Sequence, residues 1–589
     1  MPSASGPEGG GPRHGSEATV VQLDAAQALR MLTGVFLVLW SYLWWLEGDQ
    51  IRLAPGISVL VLAAALVVLA VAACPQRDGF WARGDAVLFA VVLGAAIPWL
   101  AVQAGARPYV TDEIAVGQAS ASALLSHLNP YTQDLLPWLR EFDLSPRLQT
   151  PFLNGGYVHG SSYPALSFLL YAPVGALLGQ ASHYAQTVDV LAWAATVLIM
   201  WRLLPPAVRP VVPIITSLSF YIGLVDGGNT DCIFLPLLCL ALWRWSRFGV
   251  AEESSPARWM GPVALGLACA VKQSPWLIAP FLLAGVALEA QRTGREWPRT
   301  AARYLGLALL AFLVPNAPFL MLDPGAWLHG VVLPLAQPLI PFGQGLVQVI
   351  GSVGLGGGRL WLFTAAALIA ELSALLAFIA LYPRSRPALP VLAIAPLALG
   401  TRSLPNYFVD VLPPLLVGAA TVPGAARSRL RPFQRRVAAG AAVAAGAAVL
   451  CGAGAMASAS PMHLSVVRGR TIDGPAGPVT TLVITGSNAA TVPLRPSFVT
   501  LVGVEWVPGW RLREGPERLD PGMTATYTLE STDTRIALSS GTTFAVAALS
   551  ADPAGVSVSG RSTIERGPLN PSRSNGPGRS PASDGQLPP

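Results

Sequence analysis

Apolar blocks constrain this chain most. They recur along its first 456 residues, and most are near the roughly 20 residues that a helix needs to cross a bilayer. They fall at about 28–46, 56–74, 85–103, 162–180, 229–246, 259–272, 274–289, 301–321, 359–381, 387–401, 405–421 and 437–456. A chain of 589 residues with 52% hydrophobic and only 12% charged residues is too apolar for a soluble fold of this length. The expected class is an all-α polytopic membrane protein of about 13 transmembrane helices. Region 181–225 resists a simple count. It holds two apolar runs, 184–204 and 207–224, with Arg202, Arg209 and the helix-breaking stretch PPAVRPVVP between them. An odd number of crossings is needed there, met by one re-entrant or broken run or by three short ones.

Arginines set the expected sidedness, because short cytoplasmic loops collect basic residues. Arg77, Arg83, Arg244, Arg247, Arg258, Arg292, Arg295, Arg299, Arg384, Arg386 and the cluster RSRLRPFQRR at 427–436 all fit one face. The net charge of +6 reflects these arginines and does not call for a nucleic-acid partner. Segment 1–27 is polar and cytoplasmic in this reading, and the first apolar run is a retained anchor in the plasma membrane. The loop 104–161, the turn near Lys272, the loop 322–358 and everything after 457 then face outside.

After residue 457 the pattern changes to period two. HLSVV, TTLVITGS, SFVTLVGVEWV, TATYTLES, TTFAVAALS and VSVSGRSTI are short strand-like runs separated by turn residues. They predict an extracytoplasmic β-sandwich of immunoglobulin type over 458–566. The remainder, 567–589, has the composition of a disordered tail. Cys74, Cys232, Cys239, Cys269 and Cys451 all lie in or beside apolar runs without a CxxC pair, and read as small core residues.

Few residues remain to carry chemistry. Asp112 and Glu113 stand where an apolar block ends and an amphipathic segment, 113–128, begins. A carboxylate at the membrane–water boundary can take the proton of a hydroxyl, provided that it reaches it in a site sheltered from bulk water. The same acids would also serve merely to cap a helix. Lys272 is the one lysine of the chain and ends an apolar block. Its ammonium suits a lipid-borne phosphate at that depth, or snorkels to the interface, or pairs with an acid such as Asp226. Arg402, in TRSLPNYF, is a second phosphate candidate. Asp231 opens a block and reads equally as a helix cap.

Taken together, several motifs resemble the GT-C superfamily of integral-membrane glycosyltransferases, and within it the actinobacterial polyprenyl-phosphate-mannose-dependent mannosyltransferases. They are the acid after a span, HLNPY at 127–131, the Tyr-Pro start in HGSSYPALSFLLYAP at 159–173, DGGNTD at 226–231 and AVKQSPWLIAP at 270–280. The likeness covers roughly 85–421; two additional N-terminal spans and the β region lie outside it. It implies a lipid-phosphate-linked sugar donor, a glycolipid or cell-envelope glycan acceptor, and transfer at the outer face. Carried over residue by residue, it makes Asp112 the catalytic base and Glu113 its neighbour. It makes Asp226 or Asp231 an assisting acid and Lys272 a phosphate ligand, and puts Tyr131 and Tyr163 beside substrate. Some members hold a divalent cation between such acids, so Mg²⁺ or Mn²⁺ is a possible cofactor. The loop 322–358, with PFGQG and GLGGG, is a candidate lid, and its His329 is a candidate contact to phosphate or acceptor. Trp506, Trp510 and Tyr527 of the β region would stack on sugar or pack in its core.

Two other classes compete. A lipid or glycolipid transporter predicts charges in mid-span and repeated halves, and the sequence has almost none of the first and no sign of the second. A non-catalytic envelope assembly factor predicts that Asp112 and Lys272 are dispensable.

Overall fold

The computed structural model describes residues 25–46, 54–73, 80–106, 109, 111–179, 183–217, 230–250, 257–336, 339–422, 432–471, 478–503, 505–533, 536–539 and 541–564. The chain is mostly helical up to Met456 and is built of strands thereafter. It divides into two units, Met1–Ala96 with Pro206–Leu218, and Ile97–Pro205 with Ser219–Pro589.

In the first unit, helices Ala25–Leu46 and Ala54–Ala73 pack along each other, and the short helix Val211–Ser217 lies on the first. A bidentate ion pair is buried here. Arg30 Nε donates to Asp85 Oδ1 at 2.7 Å and Arg30 Nη2 to Asp85 Oδ2 at 2.8 Å. The guanidinium also lies 4.3 Å from the centre of the Trp81 ring. Full pairing is what makes such charges tolerable among apolar helices.

Among the described residues six helices are long and apolar enough to cross a membrane: Gly56–Ala73, Tyr184–Leu203, Ser274–Arg292, Trp297–Leu322, Trp361–Ala380 and Pro432–Met456. Leu166–Leu178, Asp231–Leu242, Trp259–Val271 and Arg386–Leu399 are shorter apolar segments. The expected span at 162–180 is interrupted, as helices Leu166–Leu169 and Ala172–Leu178. In 181–225 the first run forms one helix, Tyr184–Leu203, which stops at Leu204, the residue before Pro205. The second run appears as Val211–Ser217, and 218–229 lies outside the described residues.

In the second unit small residues let helices approach closely. A Cβ on Gly266 of helix Ala257–Val271 would stand 2.1 Å from the carbonyl oxygen of Ala308 on Trp297–Leu322. Trp361–Ala380 and Pro432–Met456 run against each other, and Ser373 Oγ donates to the Ala441 carbonyl at 2.8 Å.

Two short strands of this unit, β1 (Phe342–Gly343) and β2 (Arg402–Ser403), pair in parallel. The C-terminal strands are β3 (Met462–Thr471), β4 (Val479–Asn488), β5 (Ser497–Val502), β6 (Glu505–Val507), β7 (Trp510–Glu514), β8 (Thr524–Ser531), β9 (Thr543–Ala551), β10 (Ala554–Val558) and β11 (Ser562–Thr563). They form two sheets, ordered β3-β4-β8-β7 and β10-β9-β5-β6 with β11 on β9. Alternation decides which faces are buried: Leu482 and Ile484 of β4 point inward while Thr481, Val483 and Thr485 are half-exposed. One buried cluster joins Leu482, Ile484, Tyr527 and Leu529 to Phe498, Phe544 and Val546, so both sheets share a core. A second joins Val499, Leu501, Trp506, Ala547 and Leu549 to Leu153, Ile340, Val347 and Phe363. Through it the β10-β9-β5-β6 sheet packs on the loops and a helix end of the preceding segment.

Candidate active site

The site is assembled on helix Asp112–Leu125. Thr111 takes the extended N-cap conformation, but makes no side-chain capping hydrogen bond. Asp112 opens the helix, and its carboxylate meets its own backbone N–H. Its Oδ2 accepts a hydrogen bond from the backbone N–H of Thr150 at 2.7 Å. Thr150 belongs to a small hairpin. Val158 N–H donates to the Thr150 carbonyl at 2.9 Å, Phe152 N–H to the Gly156 carbonyl at 2.7 Å, and Pro151 bridges Tyr157. One residue on, Glu113 Oε2 lies 2.8 Å from Lys272 Nζ.

Lys272 sits between helices Ala257–Val271 and Ser274–Arg292, where Pro275 helps start the second. Its ammonium lies between two carboxylates, with Asp231 Oδ1 at 2.6 Å opposite Glu113. The rings of Tyr163 and Tyr407 are centred 5.4 and 5.8 Å from it, within cation–π range. Asp231 opens helix Asp231–Leu242, and its second carboxylate oxygen accepts from the Asn406 side-chain amide. Its side chain thus meets Lys272, Asn406 and Asp410.

Arg402 is placed by the β1–β2 pair. Phe342 N–H donates to the Thr401 carbonyl and Gln344 N–H to that of Ser403, each at 2.9 Å. PFGQG is thereby pinned beside Arg402. The guanidinium lies 5.9 Å from the centre of the Phe342 ring, and Nη1 is 3.5 Å from the Ile340 carbonyl.

Asp112, Glu113, Tyr163, Lys272 and Arg402 all line one hollow of about 1420 Å³, open volume included. Thr150, Gln273 and Tyr407 share its wall. Both acids on the 112–125 helix have their carboxyls raised above the ordinary range by burial. For Asp112 the Thr150 donors and the Arg402 charge oppose this, and for Glu113 the Lys272 ammonium does.

The other expected residues fall elsewhere. Tyr131 supports the site from behind: its hydroxyl donates to the Tyr163 carbonyl at 2.8 Å, and its ring packs edge-on against Phe168 and Phe319. His329 is exposed on helix Pro324–Ala336 and is not in the wall of the hollow. Asp226 lies outside the described residues. Trp506, Trp510 and Tyr527 are buried in the cores of the β region. Among the described residues the donor set does not fit a divalent cation. Among the described residues no group of three or more His, Cys, Asp or Glu could hold one, and the Lys272 ammonium fills the space between Glu113 and Asp231.

Sequence reasoning missed Thr150, Gln273, Asn406, Tyr407 and Asp410. Gln273 bridges two segments by donating to the carbonyls of Ser162 and Val331 at 2.9 and 2.7 Å. Asp410 is buried and interacts with Asp231. A signal for it existed, since an acid within the apolar run 405–421 is a functional candidate by default.

No family model, curated protein or solved structure matches this chain.

Proposed function

We propose that this protein is a membrane glycosyltransferase of GT-C type. In this reading it has about 13 crossings, an immunoglobulin-like sandwich outside the plasma membrane, and a polyprenyl-phosphate sugar, mannose, as donor. The acceptor is a glycolipid or cell-envelope glycan. The supporting observation is the meeting of Asp112, Arg402 and Lys272 in one hollow, although 290 positions separate the first two in the chain (402 less 112).

The chemistry follows from that arrangement. The Asp112 carboxylate takes the proton of the acceptor hydroxyl as its oxygen bonds to the anomeric carbon of the donor. The bond from that carbon to the phosphate oxygen breaks, and polyprenyl phosphate leaves with the electron pair. A carboxyl raised by burial is a stronger base than one in water. The leaving phosphate needs a cation. Lys272 already faces two carboxylates, whereas Arg402 brings a guanidinium fork into the hollow and is the better partner for phosphate oxygens. Lys272 then orders Glu113 and Asp231 and holds the floor of the site.

The test is transfer from radiolabelled polyprenyl-phosphate-mannose in membranes carrying the Asp112→Asn protein. Loss of a general base lowers the rate about 10²–10⁴-fold. Transfer at the wild-type rate would remove Asp112 from the chemistry.

A further inference from the structure

A second cleft adjoins the hairpin that carries Thr150. Its volume is about 780 Å³, open volume included, and it is walled by Pro151, Gly155 and Tyr157 of the hairpin and by Ser497, Trp510 and Arg511 of the β region. The hairpin contributes to both walls. Its Thr150/Val158 rung lines the hollow that contains Asp112, and its next rung, Pro151/Tyr157, lines this cleft. Thr150 and Pro151 are consecutive, so neighbouring residues of one hairpin strand reach the two hollows.

The cleft is built rather than incidental. Ser497 Oγ donates to the Leu153 carbonyl at 3.2 Å. Gly155 has φ +87, and a Cβ there would come 2.8 Å from Ser497 Cβ. The Tyr157 hydroxyl meets the backbone of Gly509, whose carbonyl accepts from Thr532 Oγ1 at 2.8 Å. Trp510 is held by Nε1 donating to Thr500 Oγ1 at 3.0 Å. Among the described residues no carboxylate lines the cleft, while Arg511 and Thr532 are exposed at it. The half-buried Tyr157 ring, with a guanidinium and a hydroxyl at the edge, suits a chain of hydroxylated rings, whose C–H faces pack and whose hydroxyls hydrogen-bond.

We infer that this cleft binds the acceptor as an oligosaccharide, holding sugar units beyond the one that reaches Asp112. The inference rests on the glycosyltransferase reading, because the shared hairpin matters only if the hollow takes an acceptor end. A single sugar would occupy the hollow alone; a longer chain would engage both sites.

The experiment uses the full chain in nanodiscs without donor. Saturation-transfer NMR is recorded with α-linked mannotetraose and with methyl α-mannoside, for wild type, Arg511→Ala, Tyr157→Phe and Asp112→Asn. The inference expects saturation of the tetrasaccharide by wild type and by Asp112→Asn, and at least a 10-fold weaker apparent affinity in Arg511→Ala. The milder Tyr157→Phe keeps the ring and should weaken binding less. Unchanged tetrasaccharide binding by Arg511→Ala, or no binding by wild type, would overturn it. Transfer assays on the same samples separate the two ideas. If Asp112→Asn transfers normally while Arg511→Ala still loses the tetrasaccharide, the base assignment fails and the cleft stands. If Asp112→Asn is inactive while Arg511→Ala binds like wild type, the cleft fails alone.

Discussion

Lys272 Nζ stands 2.6 Å from Asp231 Oδ1, with both side chains almost wholly buried. Glu113 reaches the same ammonium at 2.8 Å. One cation thus neutralises a site that would otherwise hold two confronted carboxylates, so the chain cannot easily spare it.

Lys272→Met should therefore unfold more readily, by about 3–5 kcal/mol, because removing one partner leaves buried charge uncompensated. Thermal unfolding in detergent measures this. Adding Glu113→Gln and Asp231→Asn to Lys272→Met should restore part of the melting temperature and none of the transfer activity. A melting temperature of Lys272→Met equal to wild type would contradict the pairing.

The pH dependence has a definite sign. Asp112 is raised above the ordinary carboxylate value of about 4. A raised acid binds its proton more tightly folded than unfolded. Its contribution to stability is thus fully present below the ordinary value and is lost as pH rises through the raised one. Catalysis runs the other way, since the base must be ionised. The acid limb of kcat/KM should lie above pH ~4 and vanish in Asp112→Asn.

Arg402 acts on the same limb. Its charge lowers the Asp112 carboxyl, so Arg402→Gln should move the acid limb to higher pH. It should also lower kcat/KM for the lipid-phosphate donor by about 100-fold, as loss of a transition-state charge partner does. Arg402→Lys keeps the charge and should leave the limb in place while recovering only part of the rate. A limb that does not move in Arg402→Gln would separate the two residues.

The hairpin offers a test remote from the acids. Gly155→Val meets both a positive φ and the Ser497 side chain. A cost of about 1–3 kcal/mol is expected from the backbone alone. Because Thr150 N–H is bonded to Asp112, the shifted hairpin should lower kcat more than it raises the donor KM. Limited proteolysis and steady-state kinetics read the two effects separately.

In the first unit, Arg30→Leu or Asp85→Leu alone should lower the melting temperature. The double variant should come close to wild type, since a buried pair replaced by apolar side chains is often neutral. Transfer activity of the double variant reads whether the pair does more than hold helices together.

Much of the architecture could be read from patterning. Long apolar runs mark helices able to cross a membrane because backbone polar groups in lipid must pair within their own segment, so Trp297–Leu322 and Trp361–Ala380 announce themselves as long and apolar enough. Period-two alternation after residue 457 announces strands such as Val479–Asn488 for an equally local reason. The run at 162–180 reads as one span in the sequence. Pro164 and Pro173 fall in it, and the helix breaks into Leu166–Leu169 and Ala172–Leu178.

The candidate site was only half legible. Asp112, Glu113 and Lys272 stand out as charges at the edges of apolar runs, which is a one-dimensional signal. Thr150 gives none, since it contributes a backbone N–H that any residue but proline could supply. Asn406 and Tyr407 matter only because their segment folds against Asp231 and Lys272.

The cost of exposing backbone or charge to hydrocarbon arises locally, segment by segment, and so hydropathy marked long helices such as Trp297–Leu322, and the chain's single lysine marked a polar group that would be costly beside them. Which polar groups meet is a matter of long-range packing. Glu113 and Asp231 claim one ammonium, Arg402 is held by a strand pair with Phe342, and the hairpin at 150–158 lines two hollows. Those relations depend on distances between segments far apart in the chain, and only the folded molecule decides them.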